Sequence, residues 1–131
     1  MTVPIPKSNC PSNDPWLAIG IDLFNTGKWY DAHDIFESLW HETLGPERRS
    51  LQGVLQAAVA QLHLESGNIR GATILYGESL GRLRTPGTPN LGLDMEALCS
   101  CIEKRLYALQ TGNNPDVYPR LQLINKTITL D

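Results

Sequence analysis

Five runs of apolar residues recur at three-and-four spacing along this chain, and each is closed by a glycine, a Gly-Pro pair or a proline-glycine turn. That pattern dictates helices joined by short connections. Apolar residues at i, i+3, i+4 and i+7 line one face of a helix, and glycine supplies the left-handed residue that ends it. The first run opens at Asp14-Pro15, a capping side chain followed by the residue best suited to the first helical position, and carries Leu17, Ile21 and Phe24 toward Gly27. The second runs from Lys28 to about Glu42 through Trp29 or Tyr30, Ala32, His33, Phe36, Leu39 and Trp40, and stops at Gly45-Pro46. Pro46 opens the third and longest run, to about Ser66, with Leu51, Val54, Leu55, Ala58, Val59 and Leu62 as the expected buried stripe. Few charges interrupt it between Arg49 and Glu65, so it is expected to be the central helix. Asn68 caps a fourth run carrying Ala72, Leu75, Leu80 and Leu83, and the segment Thr85-Pro-Gly-Thr-Pro-Asn90 is the main break. The fifth run, about 94–110, places Leu98, Ile102, Leu106 and Leu109 on one face before Gly112.

The expected fold is therefore all-α. It is a compact antiparallel bundle of about five helices over residues 14–112, with an extended Pro-rich arm at 1–13 and an irregular tail at 113–131 packed on the domain. A chain of 131 residues builds one sound core and not two. A faint internal echo supports helical hairpins. The segments Thr26-Gly-Lys-Trp-Tyr-Asp-Ala32 and Ser66-Gly-Asn-Ile-Arg-Gly-Ala72 both set a helix-stopping glycine five residues ahead of an alanine. Two copies are too few for a solenoid.

Charge and segment composition exclude several function classes. A formal net charge of -3 with a pI near 5.5 gives no overall positive field for a phosphate backbone, so nucleic acid is not an expected partner. No run approaches the roughly 20 apolar residues that cross a bilayer, and the most apolar window, 54–64, is broken by Gln56, Gln61 and His63. The first residues lack the basic start and apolar run of a secretory signal, so a cytoplasmic location is expected. Cys10, Cys99 and Cys101 form no Cys-x-x-Cys pair and read as reduced structural thiols. A Walker loop, a dinucleotide-binding glycine fingerprint and a nucleophile elbow are all missing from the sequence.

What remains is a polar row within the two most apolar helices. His33 and Glu37 stand four residues apart and stack on one face, with Trp40 one turn on as a wall. Gln52, Gln56 and His63 recur close to whole helical turns and read as a stripe on the central helix beside its apolar stripe. Facing each other, the two rows would form a pocket of His33, Glu37, Trp40, Gln52, Gln56 and His63. A carboxylate beside an imidazole is the minimal pair for acid–base chemistry. A metal reading of the same residues lacks a Glu-x-x-His pair, a His-Glu-x-x-His run and a second carboxylate on the central helix before Glu65, so neither metal nor cofactor is expected. A third reading has these groups bonding one another as a structural network. His41 is expected to face solvent, and Arg48 with Arg49 reads as a solvated helix start.

Taken in order, Leu23-Phe-Asn-Thr-Gly27, Ala32-His-Asp-Ile-Phe-Glu37, Trp40, Leu51-Gln-Gly-Val-Leu-Gln56, His63 and Gly67-Asn-Ile-Arg-Gly-Ala72 resemble the domain of unknown function 309 family over about residues 16–109. The chain departs at Asp34, where the family usually has Glu. The resemblance implies a small all-α bundle, in a mostly bacterial family with plastid relatives, and no established activity. The expected function is thus a small-molecule or acid–base site between the second and third helices. The alternative is a helical protein–protein interaction module, with Trp29 or Leu44 controlling association. A small molecule and a second copy of the chain are the partners considered, and whether the chain is an enzyme stays open.

Overall fold

The structure is a computed structural model that describes residues 14–124. The expected arm at 1–13 and the last residues of the tail, 125–131, lie outside the described residues. Five helices follow one another: α1 (Pro15–Asn25), α2 (Trp29–Glu42), α3 (Glu47–Glu65), α4 (Ile69–Leu83) and α5 (Met95–Gln110). Among the described residues the only β pairing is an isolated antiparallel bridge between Leu93 and Leu123. None of the helices is long and apolar enough to cross a membrane.

Local sequence accounts for the helix ends. The carboxylate of Asp14 accepts from the Trp16 amide at 2.8 Å, and Pro15 follows as the first helical residue. Asn68 and Asp94 cap α4 and α5 by accepting from the amides of Gly71 and Ala97. The echo in the sequence is one turn used twice. At the end of α1 Gly27, φ +79°, donates to Phe24 while Lys28 donates to Leu23; at the end of α3 Gly67, φ +81°, donates to Leu64 while Asn68 donates to His63. Both are Schellman closures, and each sends the chain back so that Ala32 or Ala72, fully buried, packs in the next helix.

Helices adjacent in sequence pack together: α1 on α2, α2 on α3, α3 on α4 and α4 on α5. The middle one, α3, is the most buried, as its low charge leads one to expect. Its buried face is rotated from the expected stripe. Leu51, Val54 and Ala58 are fully buried, but Leu55, Val59 and Leu62 are half-buried, and Ser50, Gly53, Ala57, Ala60 and Gln61 are buried instead. The cause is α4. A β-carbon on Gly53 would stand 2.6 Å from Leu83 Cδ2, and the Ser79 hydroxyl donates to the Gly53 carbonyl at 2.6 Å, so small residues let the two backbones close. On α4 the buried set is Ala72, Tyr76, Ser79 and Leu83, with Leu75 and Leu80 half-buried. On α5 it is Leu98, Cys99, Ile102, Arg105 and Leu109, with Leu106 half-buried. Trp29, named above as an exposed control of association, is core: it is 4% exposed and meets Phe24 edge-on at 5.0 Å.

The chain after α5 returns to the first hairpin. Asn25 grips the Leu121 backbone in both directions, donating from Nδ2 to the carbonyl at 2.8 Å and accepting from the amide at 2.7 Å. Ile124 donates to Gly92 and Asp94 donates to Gln122, so residues 121–124 lie along the loop that precedes α5. Leu91, Leu93 and Leu121 complete the core there.

Candidate functional site

Helix α2 carries alternating carboxylates and imidazoles. His33 Nε2 lies 3.4 Å from Glu37 Oε1 and Nδ1 lies 3.6 Å from Asp34 Oδ1, while His41 Nε2 stands 4.0 Å from the other Glu37 oxygen. The spacing i, i+4, i+8 makes this ladder, because side chains one turn apart overlie one another. His33 is three-quarters buried and backed by the Tyr30 ring at 5.9 Å, whereas His41 is 61% exposed, as expected of it. Ligand atoms of His33, Asp34 and Glu37 lie within 4.8 Å of one another, a set of borderline and hard donors able to hold a divalent ion. Asp31, Asp34, Glu37, Ser38 and His41 also line a groove of about 700 Å³ whose other wall is Trp16, Ile19 and Leu23 of α1.

The remaining candidates sit on or against α3. Trp40 reaches that helix through Arg48, whose guanidinium stacks 4.0 Å from the indole centroid. Gln52 and Gln56 flank Val54 by two residues on either side, about 200° of helical turn, so they occupy the back of α3 and are half-buried there. Gln56 Nε2 donates to Glu78 of α4 at 2.9 Å. His63 stands at the α3–α4 turn, its Nδ1 3.0 Å from Asn68 Nδ2. Since Asn68 Oδ1 is occupied by the Gly71 amide, the amide nitrogen is the donor and His63 Nδ1 the acceptor. A side chain at Gly71 would collide with both: its β-carbon would lie 2.5 Å from Asn68 Nδ2 and 3.1 Å from the His63 ring. Of the six candidates, then, the structure joins His33 directly to Glu37. Among the described residues no hydrogen bond or ion pair links these two to Gln56 or His63.

One feature nonetheless unites three of them. Among the described residues, four buried side-chain polar atoms find no hydrogen-bond partner: His33 Nδ1, Trp40 Nε1, Gln56 Oε1, and Asp14 Oδ2 at the cap of α1. Three of the four belong to the polar row read from the sequence.

A second polar group escaped the sequence reading. Gln61, Tyr76 and Arg105, on α3, α4 and α5, are each at most 4% exposed and bond one another: the Tyr76 hydroxyl donates to Gln61 Oε1, and Arg105 donates to both, from Nε to the Tyr76 oxygen at 3.0 Å. Burial pushes the Tyr76 phenol up to about 12, against the opposing pull of the Arg105 charge and hydrogen bond. An unfolded chain ionises its tyrosines near pH 10, whereas folded Tyr76 keeps its proton to about pH 12. Its contribution to stability is therefore complete below pH 10 and drains away between 10 and 12. Absorbance titration at 295 nm is expected to show one of the four tyrosines ionising last, together with unfolding, and Tyr76→Phe is expected to remove that step. Burial also raises the Cys99 and Cys101 thiols, in keeping with reduced structural cysteines.

The resemblance has a physical basis in this geometry. Gly27, Gly67, Asn68 and Gly71 form the turns, Asn25 pins the returning chain, and Gly53 admits α4. No curated protein matches the chain. The family model described as "Domain of unknown function (DUF309)" matches residues 17–75, from the first turn of α1 into α4, and over that span the chain is similar to this family.

Proposed function

We propose that the protein binds a small polar molecule against the outer side of α2 and α3, with His33 and Glu37 as the acid–base pair on α2. What supports the reading is the set of unmet buried atoms: His33 Nδ1, Trp40 Nε1 and Gln56 Oε1. A buried donor or acceptor without a partner costs about 1–3 kcal/mol, and a network kept for structure alone would bond its own members. Trp40 Nε1 only donates and Gln56 Oε1 only accepts, so a ligand that reaches the first must present an acceptor and one that reaches the second a donor. Glu37 faces His33 Nε2 at 3.4 Å, while Nδ1, 3.6 Å from Asp34 and without a hydrogen bond, is the ring atom the ligand would engage.

The test uses Gln56→Leu, which removes the unmet oxygen and keeps most of the volume. Its bond to Glu78 is exposed and contributes little. The variant is expected to be as stable as the parent or up to about 1 kcal/mol more stable in urea, and to lose the thermal shift that a screen of small polar metabolites finds with the parent. His33→Ala is expected to lose the same shift while keeping its circular dichroism. A Gln56→Leu variant destabilised by about 2 kcal/mol or more would make the amide a structural bond and overturn the reading. The interaction-module alternative now rests on Leu44, 80% exposed in the turn between α2 and α3. Leu44→Ser would change sedimentation under that alternative and leaves it unchanged under the one proposed.

A further inference from the structure

Arg105 is a buried cation without an anion. It is 4% exposed, and the ion pairs among the described residues involve His33, His41, Arg82 and Arg84 instead. Its surroundings are neutral: the Tyr76 hydroxyl, the Gln61 side-chain carbonyl, the Val117 backbone carbonyl, and the faces of Tyr76 and Tyr118 at 5.5 and 5.3 Å. Dipoles and ring faces replace only part of the hydration a guanidinium loses, so a buried charge of this kind favours a counter-ion. The donor count points the same way. A guanidinium has five N–H groups, and these three acceptors take one from each nitrogen, which leaves one on each terminal nitrogen. Each spare donor can give to an oxygen of a carboxylate.

Space for such a partner adjoins it. Arg105 lines a cavity of about 460 Å³ between α5 and the turn that follows it. Ala97, Ala108 and Pro115 give the cavity an apolar wall and Lys104 a second positive charge, while Asp116 is the one carboxylate in the lining and is exposed. The volume suits a small organic acid with an apolar body. We propose that this cavity binds a small organic carboxylate, its oxygens on the two spare N–H donors of Arg105 and its body against Ala97, Ala108 and Pro115. The site lies on α5 and does not depend on the reading of α2 and α3 given above.

The experiment titrates the full chain, labelled with nitrogen-15, with benzoate, with benzamide and with inorganic phosphate, following the Arg105 Nε–H and the Val117 amide by NMR. Benzamide has the shape of benzoate without its charge. Benzoate is expected to move both signals to saturation, with benzamide and phosphate each weaker by roughly tenfold or more. Ala97→Phe, an exposed change that fills the apolar wall without touching the Arg105 bonds, is expected to abolish the benzoate shifts while leaving the spectrum otherwise that of the parent. Equal responses to benzoate and benzamide, tighter binding of phosphate, no saturable shift, or unchanged benzoate binding in Ala97→Phe would each overturn the proposal.

Discussion

Val54→Glu is expected to lower stability by about 5 kcal/mol, enough to remove most of what a chain of this size has, whereas Leu55→Glu, one residue on, is expected to leave a folded protein. Val54 is fully buried in α3 as part of the apolar core, so a carboxylate there is a charge taken out of water. The substitution also removes the packing of the valine itself. Leu55 is half-buried on the flank of the same helix, and a glutamate there can carry its charge to water, at a cost of about 1–2 kcal/mol in lost apolar burial. Urea unfolding followed by circular dichroism checks both. Equal losses would mean that the buried face of α3 is centred between the two residues rather than on Val54.

The contrast marks how far the sequence could be read. Helix ends were legible because their causes are local: Asp14-Pro15 and Asn68 cap, and Gly27, Gly67 and Gly112 stop, each within one turn of its partner. The buried face of α3 was less legible, because apolar size marks Leu55, Val59 and Leu62 while α4 selects for smallness at Gly53, Ala57 and Ala60. Two opposed demands on one helix displace the stripe, and only one of them has a hydropathy signal. The same displacement explains Gln52 and Gln56. Once Val54 is the centre of the buried face, residues two away on either side belong on the back of the helix. His33 and Glu37 were legible as a pair because they share a face of a single helix. His63 was legible as a residue and not as a role, since its partner Asn68 lies across a turn.

The Gln61–Tyr76–Arg105 group shows what a single-helix reading omits. Each residue keeps the helical period of its own buried neighbours, Arg105 between Ile102 and Leu109 and Tyr76 between Ala72 and Ser79, so the spacing itself places all three inward. Their polarity argued the other way. Burial became affordable only because three separate helices supply one another's hydrogen bonds, which no window along the sequence contains.

The close approach of α3 and α4 leads to the second large effect, at Gly53. Alanine there would gain about 1 kcal/mol of helix propensity on an exposed surface, but here the added β-carbon would stand 2.6 Å from Leu83 Cδ2 and 2.7 Å from its Cγ. The Leu83 methyl can swing aside, whereas its γ-carbon moves only with the rest of the side chain. Helix α4 cannot simply retreat, because the Ser79 hydroxyl is bonded to the Gly53 carbonyl at 2.6 Å and Ala72, Tyr76 and Leu83 are buried along the same contact. Gly53→Val, which adds two branched methyls at this point, is therefore expected to destabilise by about 3 kcal/mol, at the upper end of overpacking costs. Leu83→Ala alone leaves a void and is expected to cost about 2 kcal/mol. The double variant is expected to recover at least about 1 kcal/mol relative to the sum of the two, since the valine then fills the space the leucine vacates. Urea unfolding of the four proteins in this cycle measures that coupling. Additive losses would show that Gly53 is not held small by Leu83.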